Sequence, residues 1–233
     1  MCTLTLLPKP DGTLIITSNR DEAPDRETFP PEIHNENGVR LLFPKDGVAG
    51  GTWIGVSSRK RFVSLMNGGF TAHKRKETYR MSRGIIVKDL LIAEDLQKAI
   101  RDYDLHDIEP FTLIAVDWTK NFRVYELVWD GKDKHLSEKP LAPAIWSSSL
   151  LYSEEMKQKR REWFSNFLFD KLNPNASEIL EFHHKAGEGK PEVDLIMDRH
   201  FVKTRSITQV IISDSAEMSY EDLQTQKKSN KLL

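Results

Sequence analysis

The sequence predicts an α+β fold in which antiparallel sheets are covered by helices. Three observations carry that prediction. β-Rich runs come in pairs joined by turn-forming residues, helical segments come in pairs between the strand groups, and no regular strand–helix–strand alternation is present. The order is strands, two helices, strands, two helices, then a strand.

The first pair is Thr3-Leu4-Thr5-Leu6-Leu7 and Thr13-Leu14-Ile15-Ile16-Thr17, separated by Pro8-Lys9-Pro10-Asp11-Gly12, a hairpin signal. Positions 22–47 hold Pro24, Pro30, Pro31, Gly38, Pro44 and Gly47 with little periodicity and read as a long loop. A second hairpin runs from Thr52-Trp53-Ile54-Gly55-Val56 to Phe62-Val63-Ser64-Leu65-Met66. Ser82 is placed to N-cap a helix through Ile85, Ile86, Leu90 and Leu91, and a second helix follows around Leu96, Ala99 and Ile100. Residues 111–116 and 122–128 make a third strand pair, and 141–151 adds a further strand. Ser153 opens a helix whose apolar side is Trp163, Phe164, Phe167 and Leu168. Asn175 with Glu178 reads as a capping box for the next helix, 187–199 as a connecting loop, and 203–213 as the last strand. We expect one domain over 1–233, with 217–233 a solvated, partly helical tail.

A chain of 233 residues is long enough for a substantial core. The 34 basic and 35 acidic residues give a net charge of −1, so no global field favours nucleic acid or a membrane surface. The first residues lack the basic and uninterrupted apolar stretches of a secretory signal, and no run has the length of a membrane span. Cys2 occupies the place where a myristoyl signal needs glycine. A single cysteine excludes an internal disulfide framework and fits a reducing compartment. The expected setting is the cytoplasm.

That cysteine directly follows Met1. Removal of Met1 would make Cys2 the N-terminal residue, carrying a thiol of pKa roughly 8.5 and an amine of roughly 7.7–8.0. An N-terminal amine can take the proton of its own side chain, so one residue would supply both nucleophile and base. The hairpin brings Ser18-Asn19-Arg20-Asp21-Glu22 beside the start of the first strand, gathering an amide, a guanidinium and two carboxylates near the thiol. The ordinary alternative is a solvated turn, since Asn and Asp are turn formers.

Met1-Cys2, Asn19-Arg20-Asp21-Glu22, Gly50-Gly51-Thr52-Trp53-Ile54-Gly55, Asn67, Ser82-Arg83-Gly84 and Thr204-Arg205-Ser206 follow one another in an order that resembles the NRDE family. This is also called the Transport and Golgi organisation 2 family. Its members resemble N-terminal-nucleophile (Ntn) hydrolases, particularly cysteine acylases, and the family is associated with haem trafficking and acyl-lipid or coenzyme A metabolism. The resemblance implies an αββα sandwich of two antiparallel sheets flanked by helices. It also implies cleavage of a linear amide or acyl thioester through a Cys2 acyl-enzyme, with Asp21 holding the amine. Arg20 would stabilise the thiolate or grip a substrate carboxylate, Asn67 would serve the oxyanion, and Arg205 would support the site. Asn19, Trp53 and Ser148 are the expected substrate-binding residues. The acylase pattern Arg-Asn-x-Asp falls on Ser18-Asn19-Arg20-Asp21, so Ser18 stands in the arginine slot; Ser147-Ser148-Ser149 stands where the acylases carry a second oxyanion asparagine.

Several residues have plainer readings. Trp53 is also a natural core residue, and Gly50-Gly51 lacks the Gly-Lys-Ser/Thr of a phosphate loop. Arg59-Lys60-Arg61 and Lys74-Arg75-Lys76 read as solvated turns, with binding to an anionic headgroup or phosphate as the alternative. His183-His184 reads as a surface pair, since neighbours about 100° apart on a helix do not share a metal. No metal and no resident cofactor is expected. The alternative to a hydrolase is a non-catalytic carrier of a hydrophobic anion such as haem or acyl-CoA, so the partner is in either case a small amide, acyl or haem-like ligand.

Overall fold

The computed structural model describes residues 2–233. It opens with strands β1 (Cys2–Pro8), β2 (Leu14–Glu22), β3 (Thr28–Glu36), β4 (Val39–Asp46), β5 (Ile54–Ser57) and β6 (Arg61–Asn67). Helices α1 (Arg83–Ile92) and α2 (Leu96–Asp102) follow, then β7 (Phe111–Asp117), β8 (Arg123–Trp129), β9 (Lys134–Lys139) and β10 (Ala144–Ser147). Helices α3 (Glu154–Asp170) and α4 (Ala176–Lys185) precede β11 (Lys203–Ile212), β12 (Ala216–Asp222) and β13 (Lys228–Leu232). The chain divides into two compact units.

The first unit comprises residues 2–26, Ala142–Ser147 and Tyr152–Leu232. Its six-stranded sheet has the order β10-β1-β2-β11-β12-β13 and is antiparallel throughout. Directly opposed residues of an antiparallel pair point to the same side of a sheet, and successive residues to opposite sides. Leu7 and Ile15 therefore share a face, and there they pack with Phe164 of α3, Ile179 and Phe182 of α4, and Leu195. Ser153 caps α3, and the expected Asn175–Glu178 capping box closes in both directions at α4.

The second unit comprises Glu27–Leu141 and Ser148–Leu151, with Leu233. Its seven-stranded sheet runs β3-β4-β5-β6-β7-β8-β9 in spatial as in sequence order. Ile86, Val87, Leu90 and Leu91 of α1 pack with Leu41, Phe43, Val63, Leu65 and Leu113 of the sheet. Ser82 caps α1. A Cβ on Gly51 would lie 2.8 Å from the Gly84 carbonyl carbon, and one on Gly84 would lie 2.9 Å from the Thr52 nitrogen. Two of the signature segments are thus glycine-bearing because their backbones cross here.

Two expectations fail. The loop expected over 22–47 is mostly the β3–β4 hairpin, closed by Asn37 and Gly38 at φ 52° and 77°. Pro30 and Pro31 sit where a strand tolerates them: β3 is an edge strand, and the pair falls in the register shift between Phe29 and Glu32. The expected tail is the β12–β13 hairpin. In β12, Ala216, Met218, Tyr220 and Asp222 are buried in strict alternation, and the intervening glutamates gave the segment its solvated look.

Candidate functional site

In the first unit, Cys2 is the register partner of Arg20 across β1 and β2, with Leu4 opposite Ser18 one step further on. Cys2, Ser18 and Arg20 therefore share one face. All three are buried, Cys2 to 1 % exposure. Arg20 approaches the Glu22 carboxylate at 3.8 Å. Burial pushes the Cys2 thiol above its usual pKa, the Asp21 carboxylate pushes the same way, and the Arg20 guanidinium opposes them.

Asp21 points to the other face by strand alternation. There it accepts from the Tyr152 hydroxyl and from Thr204 Oγ1 at 2.7 Å. Burial raises its pKa, and Arg160 and the Tyr152 hydrogen bond counter that rise. Arg160, fully buried, lies 3.4 Å over the Tyr152 ring and donates to Thr3 Oγ1 at 2.8 Å and to the carbonyls of Val193 and Asp194. The partnership expected between Asp21 and the Cys2 amine requires removal of Met1, which lies outside the described residues. Thr3, directly after Cys2, is thus tied through Arg160 to the packing around Asp21.

Asn19 occupies this second face as well. Its Nδ2 donates to the carbonyls of His183 (3.1 Å) and Leu195 (2.9 Å), which fixes Oδ1 as the acceptor for His183 Nδ1 at 2.7 Å. With that proton on Nδ1, Nε2 of the neutral ring accepts from Thr5 Oγ1 at 2.7 Å. Burial pushes His183 down to about 3, with His184 and Arg160 adding to the effect. The expected surface pair is therefore corrected: His183 is a core residue, and only His184, paired with Glu221 at 3.0 Å, meets solvent. Asn19 likewise anchors α4 and has no donor left for a substrate.

Arg205 lies at the register shift between Thr204 and Ser206. Its Nη1 donates to the Pro24 carbonyl and to Gln224, so the structure joins it to the segment after β2 and to the β12–β13 turn.

In the second unit, Asn67 ends β6. Its carbonyl accepts from the Ser148 hydroxyl, and a Cβ on Gly68 would lie 2.7 Å from the Leu150 nitrogen. Ser148 thus buttresses Asn67, while the Asn67 side-chain amide has no partner among the described residues. Trp53 is buried. Arg61 corrects the reading of its basic run as solvated: it is buried and donates to the carbonyls of Ala93 and Glu94.

Sequence reasoning missed Tyr152, Arg160 and His183. Arg160 carried a signal, because it stands four and seven residues before Phe164 and Phe167 on the apolar stripe of α3. Among the described residues no helix is long and apolar enough to cross a membrane, and no group of three or more His, Cys, Asp and Glu could hold a metal ion.

Similar folds occur in an acylase, an acid amidase and a hydrolase. Penicillin V acylase from Agrobacterium tumefaciens matches with a TM-score of 0.60 and 10 % identity, over 100 % of this chain and 86 % of that one. The N-acylethanolamine-hydrolyzing acid amidase ortholog of Caenorhabditis elegans matches with a TM-score of 0.62 and 14 % identity, over 100 % of both chains. A mutant conjugated bile acid hydrolase from Clostridium perfringens gives 0.60 and 8 % over 100 % and 92 %. The protein has the fold of the Ntn hydrolases. A model of the Transport and Golgi organisation 2 family matches residues 1–186, and the chain belongs to that family. No curated protein matches its sequence.

Proposed function

We propose that this protein is an Ntn-type hydrolase that cleaves a linear amide or acyl thioester through Cys2. The observation that supports this most is the register of β1 and β2: the chain's one thiol stands opposite a buried guanidinium at the first strand of an Ntn fold. After Met1 removal, the Cys2 amine takes the thiol proton and sulfur attacks the substrate carbonyl. The proton passes to the departing amine or thiol, and water then cleaves the Cys2 acyl-enzyme. The resemblance assigns stabilisation of the oxyanion to Asn67.

One observation favours the carrier reading instead. Cys2 is buried, and burial pushes its thiol above the usual pKa, against formation of the thiolate. Intact mass of protein from its own host reports whether Met1 is removed. Turnover of a panel of acyl amides and acyl thioesters by wild type and Cys2→Ala then decides between the readings. Turnover that vanishes in Cys2→Ala supports the hydrolase. A wild type that binds haem or acyl-CoA, with no Cys2-dependent turnover, overturns it.

A further inference from the structure

The second unit carries a feature that the hydrolase reading does not use. Between β6 and α1, residues 68–82 run without helix or strand. Loops of that length are uncommon within a compact domain. This one is held against the segment between α2 and β7. Arg80 N donates to the Asp107 carbonyl at 2.9 Å, Arg80 Nη2 to the Asp104 carbonyl at 2.6 Å, and Arg83 Nη1 to the Pro110 carbonyl at 2.9 Å. With Gly131 of the β8–β9 turn, the two segments line a half-open cavity of about 250 Å³, whose lining includes His73, Lys74, Lys76, Tyr79, His106 and Asp107.

Two lysines and two histidines thus face one carboxylate. Asp107 is already paired with Lys76 at 2.9 Å. Nearby Glu109 is held by Arg83 at 3.1 Å and meets His73 Nε2 at 3.3 Å. Lys74 remains beyond those pairs and has no side-chain partner among the described residues, and the His106 ring lies beside Asp104 and Asp107. His73 Nδ1 is shielded from solvent and has no hydrogen-bond partner. With Nε2 donating to the Glu109 carboxylate, Nδ1 is left as an acceptor that a hydroxyl of a ligand would satisfy. The Tyr79 hydroxyl accepts from Lys76 N at 3.0 Å and keeps its own proton to donate.

We propose that this cavity binds a phosphate monoester. A phosphate brings about −1.5 to −2 charges and three acceptor oxygens, matching the donors that Lys74, His106 and Tyr79 bring to the cavity lining. A single carboxylate would leave some of them unanswered. The same headgroup chemistry occurs on small phosphorylated metabolites and on phosphoinositides, and the experiment separates the two.

Binding of glycerol 3-phosphate is measured by calorimetry, and binding to phosphatidylcholine vesicles with and without phosphatidylinositol 4-phosphate by co-sedimentation. At least one probe binds saturably to wild type. Lys74→Ala and His106→Ala weaken it at least tenfold, roughly 1.4 kcal/mol, with unchanged melting temperatures. Lys120→Ala, an exposed lysine outside the cavity, binds as wild type, and so does Cys2→Ala. Glycerol 3-phosphate alone as the ligand identifies a soluble phosphate; vesicles alone identify a lipid headgroup. Absence of saturable binding to both probes overturns the proposal, as does an equal loss in Lys120→Ala.

Discussion

His183 and Asn19 form the joint between α4 and the first unit's sheet, with imidazole Nδ1 2.7 Å from the amide oxygen. Both partners are fully buried, and the remaining ring nitrogen is met by Thr5 of β1. Replacing His183 by Ala leaves Thr5 and Asn19 without their partner and opens a cavity. We expect a loss of about 2–4 kcal/mol, read from urea denaturation at neutral pH.

The same histidine makes stability depend on pH. Its folded pKa lies near 3 and its unfolded value near 6.5, so between these pH values the unfolded chain binds the extra proton. The stability contributed by neutral His183 is present above about pH 6.5 and is lost as pH falls. From pH 7 to pH 5 wild type should lose about 2 kcal/mol more than His183→Gln. Equal losses in the two proteins would assign the acid sensitivity to other groups.

Tyr152 holds Asp21 through a buried hydrogen bond to a carboxyl oxygen. Tyr152→Phe removes only the hydroxyl and should cost roughly 1.5–3 kcal/mol, the range for a hydrogen bond to a charged group. Thr204→Val removes a second side-chain donor to Asp21. A double-mutant cycle in urea should give a coupling between Tyr152 and Thr204 of about 0.5–3 kcal/mol, since both act on one carboxyl group.

Burial keeps the Cys2 thiol above its ordinary pKa. In protein that retains Met1, the pH dependence of iodoacetamide alkylation should have its midpoint above roughly 8.5. Removal of Met1 should move that midpoint down, because the new amine lies on the same residue as the sulfur. A midpoint at or above the ordinary thiol value in the processed protein would sink the hydrolase reading.

If Asn67 donates to the oxyanion, Asn67→Ala should lower kcat by about 100- to 1000-fold and leave the alkylation rate of Cys2 unchanged. Ser148→Ala should have a smaller effect of the same kind, because it loosens the Asn67 backbone and leaves the amide in place.

Much of this was legible wherever the determinant was local. The β1–β2 and β5–β6 hairpins followed from turn residues between β-rich runs, and Ser82, Ser153 and Asn175 cap the helices they were expected to cap. The polar cluster after Ile16 was rightly drawn to Cys2, yet alternation splits it. Arg20 faces the thiol, whereas Asn19 and Asp21 face the helices. What escaped depends on distant partners. His183 is buried because Thr5 and Asn19 meet both ring nitrogens, and nothing in the helix that carries it announces them. Pro30-Pro31 spoke against a strand until β3 proved to be an edge.

The first unit is assembled from three separated pieces of chain, whereas nearly all of the second is continuous from Glu27 to Leu141. On the ribosome these histories differ. The strands from β3 to β9 emerge in the order in which they sit in their sheet, so each finds its neighbour as soon as it appears. The β1–β2 pair emerges first, but β2 has β11 as its other neighbour, and β11 begins only at Lys203. At roughly 5–20 residues per second of synthesis, that hairpin waits on the order of 10–40 s for its partner. The nascent thiol spends this interval outside its finished sheet, accessible to the enzymes that trim and modify new chains.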